Sequence, residues 1–125
     1  DPFAELRALE NHSRARLGRR NVLSPPDAPD GLAARLWGVG AGEGSRALGL
    51  KGGEIAPGAP ADLVLMDLRG VSYAGARPLP TIVFAGQPRD VEALWVGGAP
   101  IIEGGEHPEA ARIVEDARRA LGELP

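Results

Sequence analysis

Three prolines within eight residues, in Ser24-Pro-Pro-Asp-Ala-Pro-Asp-Gly31, constrain this chain more than any other stretch. Each proline fixes its own φ and removes a backbone donor, so no helix or sheet ladder runs through the segment, and a surface connection is predicted there. Upstream, Asp1-Pro2 suits a helix start, because aspartate caps free N–H groups and proline is tolerated in the first turn. Phe3, Leu6, Leu9, Ser13 and Leu17 recur every three or four residues, with Glu5, Arg7, Glu10, Arg14 and Arg16 between them. That spacing predicts a helix of about four turns that buries the first set, exposes the second and stops near Gly18.

Downstream, Asp30 is placed to cap the next helix. Leu32, Leu36, Val39, Ala47 and Leu48 keep helical spacing, but Gly38, Gly40, Gly42 and Gly44 interrupt it, which predicts two helices or one broken helix, closely packed. From Lys51 the character changes to strands and turns. Residues 53–56 read as a short strand, Pro57-Gly58-Ala59-Pro60 as a tight turn with positive φ at Gly58, and 63–66 as a buried strand from their continuous apolar run. After a Gly/Pro-rich loop over 70–80, Thr81-Ile-Val-Phe84 is read with the strands. Gly97-Gly98 is a two-residue turn that closes a hairpin between 91–96 and 99–102. A last helix starts at about Pro108, with Ala110, Ile113, Val114, Ala117 and Leu121 on one side and Arg112, Glu115, Asp116 and Arg119 on the other.

With 125 residues and 43% apolar content this is one domain's worth of α plus β material. A net charge of −3 implies neither a nucleic acid nor an anionic membrane as partner. No cysteine is present, which removes disulfides, thiolate zinc sites and cysteine nucleophiles, and makes the cytoplasm the default location. No apolar run approaches the ~20 residues of a membrane span. The start at Asp1, without methionine and directly on a helix, predicts a piece of a longer protein.

Chemistry is sparse. His12 and His107 lie on different elements without a partner at ligand spacing, so each reads as a solvated or capping histidine, His107-Pro108 opening the last helix. Gly42-x-Gly44-x-x-Ala47, with Asp62 twenty residues on, fits a loose dinucleotide fingerprint, but a helical pattern stands before it where a strand is required. Arg14, Arg16, Arg19 and Arg20 form a basic cluster without aromatics; near a helix C-terminus such charges are favourable by about 0.3–1 kcal/mol each, which accounts for them without a ligand. Asp62 and Asp67 bracket the apolar strand, where carboxylates can accept backbone N–H bonds from adjoining turns. The residues by themselves assemble no active site.

Gly53-Glu-Ile-Ala-Pro-Gly58-Ala-Pro-Ala61-Asp62-Leu-Val-Leu-Met-Asp67 resembles the G-x-I-x-x-G-x-x-A-D-L-V-x-x-D signature of the metal-dependent amidohydrolase superfamily. Gly44-Ser-Arg-Ala-Leu-Gly49 is similar to the superfamily's helix just before that signature, and Val91-Glu-Ala-Leu-Trp-Val-Gly97 with Ile101-Ile-Glu-Gly104 to its hairpin. Glu5-Leu-Arg7-x-Leu9-Glu10, Arg19-Arg20-Asn21-Val22-Leu23 and Ile82-Val-Phe84-Ala85-Gly86 resemble N-formimino-L-glutamate deiminases. Asn11 stands where those carry an aromatic residue, and Glu43 interrupts the usual run of small residues.

The resemblance implies an α+β fragment: the last helices of a TIM-type (β/α)8 barrel over 1–50, strands of a composite β-sandwich over 51–105, and a C-terminal helix over 106–125. It implies a parent hydrolase in which a divalent metal, commonly zinc, activates water against an amidine-type carbon with release of ammonia. The implied reaction is N-formimino-L-glutamate to N-formyl-L-glutamate in histidine degradation; an aminohydrolase of purine, pterin or nucleoside-like rings and a free-standing, non-catalytic interaction module remain alternatives. The implied partners are a small-molecule substrate and the N-terminal barrel and sandwich strands of the same protein, with room for a homodimer. The superfamily's metal ligands precede Asp1, so no catalytic, cofactor-binding or metal-ligating residue is carried over, this segment binds no metal, and alone it is expected to be inactive and loosely folded or aggregated.

Overall fold

The computed structural model describes residues 1–25, 28 and 30–122. Positions 26, 27 and 29 of the proline-rich connection and 123–125 of the predicted last helix lie outside the described residues.

Helix α1 (Pro2–Leu17) begins and ends as its sequence predicts: Asp1 Oδ1 accepts from the N–H groups of Phe3 (2.9 Å) and Ala4 (3.3 Å), and Gly18 closes the last turn in the left-handed region. Its buried side is not the predicted stripe. Phe3 is buried, but Leu9 and Leu17 are exposed, while Glu10, expected on the solvent face, is only 3% exposed. The cause is backbone demand. The chain after Gly18 turns back along α1, and Glu10 accepts from Val22 N (3.1 Å) and Leu23 N (3.3 Å). Arg7, also expected outside, donates to the carbonyls of Val83 (3.4 Å) and Gly86 (3.0 Å) at the end of another helix, where carbonyls lack intrahelical donors.

The glycine-interrupted region is one broken helix. α2 (Gly31–Gly38) runs through a π turn (Val39–Glu43) into the short α3 (Gly44–Ala47). Asp30 occupies the position before α2 but makes no capping bond with its side chain; its carboxylate pairs with Arg77 instead, a correction to its expected role. Close packing is real: a side chain at Gly40 would stand 3.0 Å from Leu6 Cδ2.

Residues 53–56 form no strand. Gly52 and Gly53 both have positive φ (136° and 84°), which ends an extended run before it starts, and Ile55 is exposed. The turn that follows is as expected, with Gly58 at φ 83° and Ala59 N bonded to Ala56 O at 3.0 Å. Three strands, β1 (Leu63–Met66), β2 (Val91–Val96) and β3 (Ala99–Ile102), make one antiparallel sheet in the order β1-β2-β3, with Leu63 opposite Trp95 and Val64 opposite Leu94. Gly97 and Gly98 (φ 57° and 82°) close the β2–β3 hairpin as predicted. β1 is not buried: Val64 and Leu65 are 40% and 51% exposed, because the described chain supplies too little material to cover both faces.

Residues 81–84, read as a strand, lie in helix α4 (Pro78–Ala85). A four-residue apolar run does not distinguish the two states, and here the local chemistry decides: Pro78 suits the first turn, and Arg77 O accepts from both Thr81 N (3.1 Å) and Thr81 Oγ1 (2.7 Å). α4 sends Val83 against Ala33 and Leu36 of α2, forming the core with Leu23, Leu32, Trp37 and Leu79 around it. Helix α5 (Ala110–Gly122) carries the expected stripe, but Ile113, Val114 and Leu121 are exposed.

Candidate functional site

The carboxylates that bracket β1 hold backbone. Asp62 Oδ1 accepts from Gly97 N at 2.7 Å, and Ala61 O accepts from Gly98 N at 3.0 Å, so the residues before β1 grip the hairpin turn. Asp67 Oδ1 accepts from Arg69 N at 2.8 Å, and its two oxygens take the Arg69 guanidinium at 2.9 Å each. The Arg69 side chain, then its backbone N–H, hold the half-buried Asp67 carboxyl well below the usual carboxylate range, at about 2. Asp67 N in turn donates to Asp90 O at 2.7 Å. Ala61-Asp62 and Asp67 thus fasten the two ends of the apolar strand, and the pattern of the signature segment follows from that.

Asp90 is the residue that sequence reasoning missed. Its Oδ2 accepts from Gln87 N (2.8 Å) and from the Tyr73 hydroxyl (2.5 Å), tying the loop after β1 to the entry of β2. The hydrogen bond to that carboxylate is the main cause that raises the Tyr73 phenol above its ordinary range. Gln87 and Asp90 form a capping box, and an acidic residue three positions after the cap was the available signal.

The other singled-out residues are not brought together. His12 is exposed on α1; His107 lies before α5, where its Nδ1 accepts from Glu109 N at 3.1 Å. Gly42, Gly44 and Ala47 lie in the π turn and α3, with helix rather than strand before them. Arg14, Arg19 and Arg20 surround a shallow surface recess at the end of α1 that also includes Asn11. Among the described residues no three of His, Asp and Glu converge as a metal donor set, so these side chains do not fit the metal that the resemblance implies.

What does converge is apolar surface. Phe3, Leu6, Trp37, Val64, Val91, Leu94 and Ile102 line a recess of about 560 Å³ between the first helices and the sheet, with Glu5 the single ionisable residue among its described lining. One carboxylate without an acid, base or metal partner does no acid–base catalysis. The recess has the character of a packing surface, and the signature strand and the hairpin both contribute to it.

Residues 42–101 match the model of the Amidohydrolase family. The chain is 33% identical over 123 residues to formimidoylglutamate deiminase of Pseudomonas aeruginosa, which covers 96% of this chain and 27% of that protein. It is 45% identical over 56 residues to 5-methylthioadenosine/S-adenosylhomocysteine deaminase of Pyrococcus abyssi, covering 44% of this chain and 13% of the relative. Among solved structures, an amidohydrolase from Brucella melitensis superposes with a TM-score of 0.75 at 30% identity, over 97% of this chain and 27% of that one. A zinc-bound adenosine deaminase from Xanthomonas campestris superposes with a TM-score of 0.80 at 26% identity, over 94% and 26%. The resemblance read from the signature segment is shown by these matches, and the chain spans about a quarter of the length of the relatives that it matches along nearly all of its own.

Proposed function

We propose that this chain is the C-terminal portion of a metal-dependent amidohydrolase that cleaves a non-peptide C–N bond with release of ammonia, and that the parent enzyme is an N-formimino-L-glutamate deiminase of the cytoplasm. The observation that carries the reading is the 33% identity to a formimidoylglutamate deiminase along 96% of the chain. In this reading 1–50 supply the last barrel helices, 51–105 part of the composite sandwich, and 106–125 the C-terminal helix. The metal, zinc by analogy with the zinc-bound neighbour, and all catalytic residues belong to the part of the enzyme outside this chain. The exposed faces of β1 and α5 and the apolar recess then await the rest of the same polypeptide. Burial of such faces contributes roughly 25 cal/mol per Å², so the chain alone is expected to be loosely folded or associated, and inactive.

A second reading, deamination of a purine-like ring, is favoured by the 45% identity over 56 residues to the methylthioadenosine/S-adenosylhomocysteine deaminase. The deciding experiment takes the coding sequence upstream of Asp1, expresses the whole product and measures ammonia release from N-formimino-L-glutamate, S-methylthioadenosine and adenosine. Release from the first alone supports the deiminase and release from a nucleoside supports the alternative. A start codon directly upstream, with a monodisperse and inactive product, would sink both in favour of an interaction module.

A further inference from the structure

The fold places a chemically labile dipeptide at the start of α2. A side chain at residue 31 would put its Cβ 2.9 Å from Ala28 Cβ and 3.3 Å from both Pro25 Cδ and Ser24 Oγ, so the position takes glycine. Asp30, with φ 58°, uses a left-handed conformation that aspartate tolerates better than most residues, and its carboxylate meets Arg77. Among aspartyl sequences, Asp-Gly is the one in which the following backbone amide most readily attacks the side chain, because glycine puts no Cβ in the way.

We propose that Asp30-Gly31 is a latent site of isoaspartate formation, held closed by the folded chain and opened when α2 unfolds. In the reaction the Gly31 nitrogen bonds to Asp30 Cγ, and one carboxyl oxygen leaves with two protons as water, giving a five-membered succinimide. Water then adds at the α-carbonyl and the ring C–N bond there breaks, so Gly31 is attached through the β-carboxyl while the free carboxylate sits on Cα. The composition is unchanged; the main chain is one methylene longer.

Three features keep the folded site shut. Gly31 is buried, and its N–H is bonded to Ala28 O at 2.9 Å. Asp30 has ψ 13°, so the Gly31 nitrogen is nearly eclipsed with the nitrogen of Asp30 itself and turned away from Cβ; the bond of Ala34 N to Asp30 O at 2.8 Å holds that rotation. The carboxylate oxygen Oδ1 is buried against the Arg77 guanidinium, a close ionic contact without ordinary hydrogen-bond geometry, and an ion-paired carboxylate is a poor electrophile. Once the longer linkage has formed, the Ala34–Asp30 bond cannot re-form in register and α2, which carries Ala33 and Leu36 into the core, loses its first turn. Isoaspartate accumulated at position 30 is therefore a covalent mark of unfolding excursions in this part of the protein.

The test ages the intact protein beside a synthetic peptide of residues 24–38 at neutral pH. Isoaspartate at position 30 is quantified by electron-transfer fragmentation and by labelling with an isoaspartyl carboxyl methyltransferase, and amide protection of α2 is followed in the same samples. The expected rate in the protein is about tenfold or more below that of the peptide, since local opening must precede reaction. Arg77→Ala should bring it towards the peptide's rate, and Arg77→Lys should restore most of the protection. Equal rates in protein and peptide overturn the proposal, as does isomerisation in the protein that does not rise when α2 protection is lost; an Arg77→Ala variant that retains α2 protection yet isomerises no faster than the parent overturns the share given to the ion pair.

Discussion

Gly53 and Gly58 offer a matched pair in which backbone conformation is constant and surroundings differ. Their φ values are 84° and 83°, so an alanine at either place carries the same left-handed strain, roughly 1 kcal/mol. At Gly58 a Cβ meets nothing within 4 Å. At Gly53 it would stand 2.6 Å from Ala41 C, Gly42 Cα and Gly42 N, all main chain of the π turn, which no rotamer change relieves. Overpacking of that kind adds about 1–3 kcal/mol, so Gly53→Ala is expected to cost about 2–4 kcal/mol against about 1 kcal/mol for Gly58→Ala. Urea unfolding of the intact protein with each substitution measures the difference, and amide exchange across 39–43 shows whether the π turn is the part displaced. Equal costs would refute the claim that the loop before β1 is seated backbone to backbone on the π turn; a Gly58→Ala protein as stable as the parent would refute the shared strain.

Glu10→Ala removes the acceptor for Val22 N and Leu23 N and is expected to destabilise by about 2–3 kcal/mol, with exchange of those two amides rising first; unchanged protection there contradicts the buried role of Glu10. The folded carboxyl of Asp67 lies below its unfolded value of 3.8, at about 2, so its bonds to Arg69 are fully present above about pH 4 and are lost as pH falls towards 2. The Asp67 carboxyl carbon shift, followed by NMR, should titrate near 2, and should return to the ordinary range in Arg69→Ala. The 125-residue chain is expected to retain no stoichiometric zinc after dialysis, measured by elemental analysis; zinc that is retained and then lost on His12→Ala or His107→Ala would show a site that the described residues do not form.

Legibility followed the range of the interactions involved. Asp1, Gly18, Gly58 and the Gly97-Gly98 pair act within a few residues of themselves, and caps and turns stand where the local chemistry put them. The signature segment was legible as a pattern, and its two aspartates were rightly read as backbone acceptors, although nothing local named Gly97 as the donor to Asp62. The candidate site was legible only as a surface without convergent chemistry.

Local chemistry alone sets where α1 begins and ends and where the Gly58 and Gly97-Gly98 turns fall, because those capping, proline and glycine effects are settled by a residue and its neighbours. Which face of each element lies inside was set by packing between elements distant in the chain. Glu10 and Arg7 turned inward because distant backbone groups required an acceptor and a donor, and Val83 of α4 lies inside because Ala33 and Leu36 of α2 give it a surface to pack on. Val64, Leu65 and the α5 stripe stayed exposed because burial needs a second surface, and a strand's own apolar residues cannot provide it.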